Sequence, residues 1–441
     1  MIFRIENLGI LTKAEIDLRH DLILLCGHNN SGKSYLAYGI YHLLTMNEEP
    51  ALANLMDADL IVNRIANQIE THEIRDNQIV INLLDIYRTV LSQHKQELFE
   101  CILKQYVQDL GDFFAAPHNE LFSKTQAQIE FSDQEIENHI KDNESILIPL
   151  KSFQTNRNGV AQDIFFQLIQ SIFNFRAYIA PAERSAINIF SRELSITKNK
   201  LFSQLLKSTK NANDMLDLLR RRVERYPKPI RDNLEIAEDL LVLSNRDSQF
   251  AYLAAELEQN ILKGKILVSP EGEVKYQPNN APNQSLEVHL TSSLVKSLAN
   301  LVFYLRHLAQ RGDYIIIDEP ELNLHPDNQI LMARFLGRLV NEGFKVITSI
   351  HSDYILMEIN SLIMLTKPDD NKTAELIKQY GYAQNQLLKP EQVGAYLFKE
   401  SSQSAEKVEV NQTGLEIETI EKVVDDLNES SEGIYFVLFE L

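Results

Sequence analysis

Apolar and polar residues alternate through IFRIENLGI and AEIDL near the start of the chain, as in strands with one face buried and the other in water. Leu22 to Cys26 breaks that rhythm. It is apolar throughout, as in a strand covered on both faces, and stops at Gly27. YLAYGIYHLL, from Tyr35 to Leu44, repeats with a helical period, so three strands precede the first helix. From Asn47 to about Lys124 a 3.6-residue period with few glycines predicts several helices. Ile129 to Phe153 mixes short alternation with charge and gives no assignment. Ile164 to Phe175 reads as helix, and Ala177 to Ala180 as a buried strand whose end carries Pro181, Glu183 and Arg184.

Thr197 to Lys263 is helical again, broken by Pro227 and Pro229, and GKILVSPEGEVKYQP is a hairpin about Pro270-Glu271-Gly272. Thr291, Ser292 and Ser293 cap a helix that starts near Leu294. DYIIIDE, Asp313 to Glu319, is an apolar strand ending in two carboxylates. One helix, Asn328 to Gly343, separates it from a second buried strand, Val346 to Ile350. SLIMLT is the last expected core strand, and LEIETIEKVVDDLNESSEGIYFVL predicts an amphipathic helix followed by an apolar strand. This order of elements predicts an α/β fold with a mixed central sheet, an antiparallel N-terminal portion and helical insertions.

Chemistry enters at the strand ends. GHNNSGKS, Gly27 to Ser34, is a strand-to-helix loop suited to phosphate: its glycines let backbone N–H groups turn inward while the helix N-terminus adds its dipole. Lys33 then reaches the β- and γ-phosphates and the Ser34 hydroxyl ligates Mg²⁺, with Gly27, Asn29, Asn30, Ser31 and Gly32 lining the cradle. Asp318 and Glu319 end a strand of the same sheet, where both can address a site beyond its edge. Asp318 is expected to hold Mg²⁺ and Glu319 to deprotonate the attacking water. His351 ends the next strand, in register to sense a γ-phosphate. A simple N-cap accounts for Ser292 when that stretch is taken alone.

The four stretches GHNNSGKS, TSSLVKSL, IIIDEPELNLHP and SIHSDYIL, in that order, resemble the ABC-type ATPase heads of the OLD, RecF and SMC-like branch, the AAA15/AAA21 group. The resemblance implies a Walker A motif with Lys33 and Ser34, a Walker B motif with Asp318 and Glu319, and a switch histidine at His351. It puts Ser292 at the signature serine. It implies a Mg²⁺-dependent ATPase that closes as a head-to-tail homodimer, or a higher even oligomer, around ATP. The signature departs from LSGGQ, with Leu294 and Val295 in place of glycine and glutamine, and no Q-loop glutamine stands out; Glu183 or Arg184 is the candidate substitute. The head is expected to comprise residues 1–45, the core strand within 176–196, and 264–366, with helical insertions at 46–175 and 197–263 and an acidic C-terminal region at 367–441.

Composition narrows the partners. The chain has 441 residues, 44% of them hydrophobic and 24% charged, enough for a substantial core. Its net charge of −19 gives no support to a surface that coats nucleic acid, although RRRVERYPKPIR, Arg220 to Arg231, is locally basic. Cys26 and Cys101 are its two cysteines, far apart, so a disulfide framework or zinc cluster is not expected and a reducing, cytoplasmic setting is. No run approaches the roughly 20 apolar residues of a membrane span, MIFRIENLG lacks signal-peptide features, and no membrane partner is expected. Beyond SLIMLT the chain lacks the strand context of a Toprim nuclease. The resemblance therefore points to a stand-alone ATPase subunit of bacterial anti-phage defence, of the PARIS, Septu or retron-associated kind, that controls a separately encoded effector such as a Toprim or HNH nuclease. The alternatives are a RecF-like repair ATPase that clamps DNA and a scaffold that binds ATP with little turnover.

Overall fold

The computed structural model describes residues 1–46, 59–70, 74–75, 77–116, 120–141, 146–189, 225–270, 272–367 and 370–439. The chain folds into two compact units: Met1–Arg19, Gly39–Gly111 and His118–Ala177 in the first, and His20–Tyr38, Asp112–Pro117 and Tyr178–Leu441 in the second. In chain order the elements that matter here are β1 (Ile2–Leu8), β2 (Leu11–Asp17), β3 (Leu22–Gly27), α1 (Lys33–Thr45), β4 (Gln126–Glu130), β5 (Ala177–Ala180) and α2 (Ser293–Phe303). Then follow β6 (Tyr314–Asp318), α3 (Pro326–Asn341), β7 (Lys345–Ile350), α4 (Asp353–Met364), β8 (Val393–Lys399), β9 (Ser404–Val408) and α5 (Glu418–Phe439).

In the first unit β1 and β2 form an antiparallel hairpin, with Ile5 opposite Ala14, and β4 pairs with the other edge of β1. Alternation places Phe3 and Ile5 of β1 and Ala14 and Ile16 of β2 on the buried face, and Leu8 and Leu11, beyond the left-handed Asn7, are buried as well. Phe3 meets the ring of Tyr106 edge-on, 5.9 Å between centroids. A separate three-stranded sheet joins Ile74–Arg75, Gln78–Ile81 and Ile146–Pro149. The helix Asp59–Ile69 packs on Arg157–Ile172. The stretch 46–175, expected to be helical, thus also carries sheet. Its strands are two to five residues long, too short for their alternation to stand out from the flanking helical period.

In the second unit the strand order is β9-β8-β3-β7-β6-β5. Four central strands run parallel, β8 and β7 flanking β3 and β6 lying beyond β7, while β9 returns antiparallel to β8. Every residue of β3 and of β6 is buried, which is why both read as unbroken apolar runs. The three strands Gly264–Val268, Val274–Pro278 and Leu286–Glu287 form a small antiparallel sheet that contains the expected hairpin.

Three expectations are corrected here. Ser361 to Thr366 is not a strand: it is the end of α4 and the turn after it, apolar because Leu362 and Ile363 face the core. The acidic region 367–441 holds a core strand, β8, whose Val393 to Phe398 are all buried beside β3. The acid of that region lies outside the strand and masks it in any composition average. The expected helix and strand at the end are one helix, α5. Of the basic stretch, Arg220 to Glu224 and the rest of 190–224 lie outside the described residues, and Lys228–Glu238 is helix.

Candidate functional site

Between β3 and α1 the backbone turns through left-handed angles at Gly27 (φ 134°), Asn30 (φ 59°) and Gly32 (φ 97°). Gly27 is required twice over: its φ suits no side chain, and an added Cβ would sit 2.4 Å from the carbonyl oxygen of Phe398 on β8. Within the loop the Ser31 hydroxyl donates to the carbonyl of His28 (2.7 Å). The Lys33 ammonium donates to the carbonyls of Gly27 (3.0 Å) and His28 (2.6 Å), folding back into the concavity. Lys33 is only 4% exposed, and burial lowers its pKa to about 8, opposed by attraction to Asp318. Ser31 and Gly32 are buried with it, whereas Asn29, Asn30 and Ser34 are exposed at the mouth.

Sheet register brings the other expected residues to the same edge. Asp318 pairs with Ser349, Ser349 with Leu25 and Ile350 with Cys26, so β6, β7 and β3 end together. The Ser349 hydroxyl donates to Asp318 Oδ1 (2.5 Å) and accepts from the Glu319 N–H (2.9 Å), fixing one carboxylate and the backbone of the next. Glu319 itself adopts a left-handed turn (φ 52°), costly for a side-chain-bearing residue. Arg184 holds that turn. Its guanidinium, 1% exposed, donates to the carbonyls of Asp318 and Glu319 (2.6 Å each) and of Pro181 (3.1 Å).

His351 Nε2 lies 3.6 Å from Glu319 Oε1. Burial, then the charge of Lys33, lowers the histidine pKa to about 4, so at neutral pH this is a contact of a neutral imidazole and not an ion pair. Burial, then the neighbouring Asp318, raises the Glu319 pKa. Glu321, in the loop after β6, accepts the His351 N–H through Oε1 (2.5 Å), while its Oε2 is buried without a hydrogen-bond partner among the described residues; burial raises this carboxyl to about 7.

Lys33, Asp318, Glu319 and His351 therefore meet at one sheet edge within the second unit. Ser292 does something more local: it is the N-cap of α2, accepting from the Val295 N–H (3.4 Å), with its own side chain exposed. Glu183 accepts from the Tyr38 hydroxyl (3.3 Å) on α1. Sequence reasoning missed Ser349 and Glu321. Glu321 carried a signal, an acidic residue three positions beyond a buried aspartate; the Ser349 contact follows from strand register alone.

The residues fit a nucleotide with its cation. A hydroxyl at the opening turn of α1 and a buried carboxylate form the hard oxygen set that Mg²⁺ selects, beside an ammonium for phosphate. No curated protein matches this chain. Among solved structures, an Smc head bound to the C-terminal winged-helix domain of ScpA is 12% identical over 92% of this chain and 96% of that chain, with a TM-score of 0.33. An Smc head domain with an extended coiled coil, bound to the C-terminal domain of ScpA from Pyrococcus furiosus, is 11% identical over 97% and 98%, with a TM-score of 0.32. At such scores the likeness carries no argument. The model of the AAA ATPase domain family, by contrast, matches residues 1–356, and with most of its length so matched the chain belongs to that family.

Proposed function

We propose that this chain binds ATP with Mg²⁺ in the loop Gly27 to Ser34 and hydrolyses it, and that head-to-tail closure of two copies around ATP controls a separate effector. The observation that carries the reading is the meeting of Lys33, Asp318, Glu319 and His351 at the edge shared by β3, β6 and β7. In this reading Lys33 leaves its loop carbonyls for the β- and γ-phosphate oxygens, and Ser34 and Asp318 hold the cation, which screens phosphate charge when bound. Glu319 takes the proton from the attacking water, its raised pKa making it a stronger base than an ordinary carboxylate. A neutral His351 orients water or a γ-phosphate oxygen by hydrogen bonding. Ser349 fixes the Asp318 carboxylate, and Arg184 the backbone that carries Asp318 and Glu319. Ser292, exposed at the start of α2, is suited to meet the nucleotide of a second copy.

The effector role, in anti-phage defence, rests on the motif resemblance and is an analogy at the level of fold. The DNA-clamping alternative rests on Arg220 to Arg222, which lie outside the described residues. The hydrolytic reading is tested by Glu319→Gln. Nucleotide binding is retained and steady-state turnover falls by at least about 10²-fold, as expected on loss of a general base. Turnover undiminished in that variant, with Lys33→Ala as the blank, removes Glu319 from the role.

A further inference from the structure

From Asp426 to Phe439 every residue of α5 is exposed, Leu427 at 67%, Ile434 at 60% and Leu438 at 66%. In sequence, Ile420, Val424, Leu427, Ser431, Ile434 and Leu438 follow one another at alternate spacings of four and three, the repeat of a helix that pairs along a seam. Among the described side chains the positions flanking that seam are Asn428, Ser430, Tyr435 and Val437, and no charge borders it. Asp426, Glu429 and Glu432 fall on the opposite side of the helix, followed in its last turn by Phe436 and Phe439. At 1.5 Å per residue, the 14 residues from Asp426 to Phe439 present about 21 Å of this face.

We propose that this face of α5 is an interface with a second copy of the same chain, formed without nucleotide. The charge pattern selects the occupant. A basic partner would be read by carboxylates at the rim of the seam, and these carboxylates point away from it, where they keep like charges apart when two identical helices pair. A lipid surface is disfavoured by the same carboxylates, and no helix among the described residues is long and apolar enough to cross a membrane. A heptad seam is its own complement.

Because the interface is independent of ATP, it is read in the full chain carrying Lys33→Ala, free of nucleotide, by sedimentation velocity. The expected mass is about twice 50.7 kDa, falling to 50.7 kDa when Leu427→Glu, Ile434→Glu and Leu438→Glu are added, with the circular dichroism spectrum of a folded chain retained because these positions are exposed in the single chain. Glu429→Lys with Glu432→Lys, on the far side, leaves the dimer intact. A single-chain mass for the Lys33→Ala protein overturns the proposal, whether the helix serves another protein or folds onto its own head. So does a dimer that survives the three glutamates, or one lost equally to the two lysines.

Discussion

Arg184 is the largest fully buried side chain among the described residues, and its guanidinium is met by carbonyl oxygens of Pro181, Asp318 and Glu319. Burial lowers its pKa, as for any cation taken from water, so the arrangement is costly and its return lies in geometry: two short hydrogen bonds hold the left-handed turn at Glu319. Arg184→Met is expected to lower kcat by up to about 10²-fold, the scale of a misplaced reacting group, while KM for ATP changes little. Arg184→Lys, with charge but no fork, recovers only part of that loss. A pure rise in KM with kcat intact would place Arg184 in nucleotide binding instead. Residue types made Lys33, Asp318 and Glu319 legible in advance, because phosphate and hydrolysis demand those groups. Arg184 was legible only as one of two candidates for a different duty, since nothing local tells which of Glu183 and Arg184 turns inward.

Among the elements, β3 and its neighbours set the site. The close approach of Gly27 to the Phe398 carbonyl ties the mouth of the loop to β8, a strand some 370 residues further on. Gly27→Ala is expected to destabilise the fold by the ~1–3 kcal/mol of a strained backbone and to displace β8 as well. Gly312→Ala is the control: its φ is also left-handed, at 89°, but nothing lies within 4 Å of the added Cβ. Denaturant unfolding should show the greater loss at Gly27; equal losses would mean that β8 does not constrain the loop. Strands β3 and β6 were readable because strands covered on both faces are apolar with little interruption, and β7 from Val346, Ile347 and Ile350 in spite of its buried Thr348 and Ser349. β8 was not, since it lies within an acidic stretch. Ser361 to Thr366 misled for the converse reason, a short buried helical segment being as apolar as a strand.

For the whole molecule, two half-buried groups pull stability in opposite directions with pH. Glu321, raised from 4.5 to about 7, contributes stability that is present below pH 4.5 and lost as pH rises through 7. His351, lowered from 6.5 to about 4, contributes stability present above pH 6.5 and lost as pH falls through 4. Glu321→Gln should therefore melt progressively higher relative to wild type between pH 5 and 8, and His351→Gln should flatten the loss below pH 6.5. Melting curves of wild type and Glu321→Gln that stay parallel across that range would show the carboxyl to be ordinary. The sequence by itself determined the loop, the carboxylate strand and the histidine strand, because each is a local pattern of residue types whose chemistry and burial are written in a few neighbouring positions. Only the tertiary structure decided which strands lie side by side, and so that Ser349 meets Asp318, Arg184 clamps Glu319, Glu321 holds the His351 backbone and β8 closes on Gly27. Those contacts join residues distant along the chain, and pairing across a sheet is set by register and packing, which no local pattern encodes.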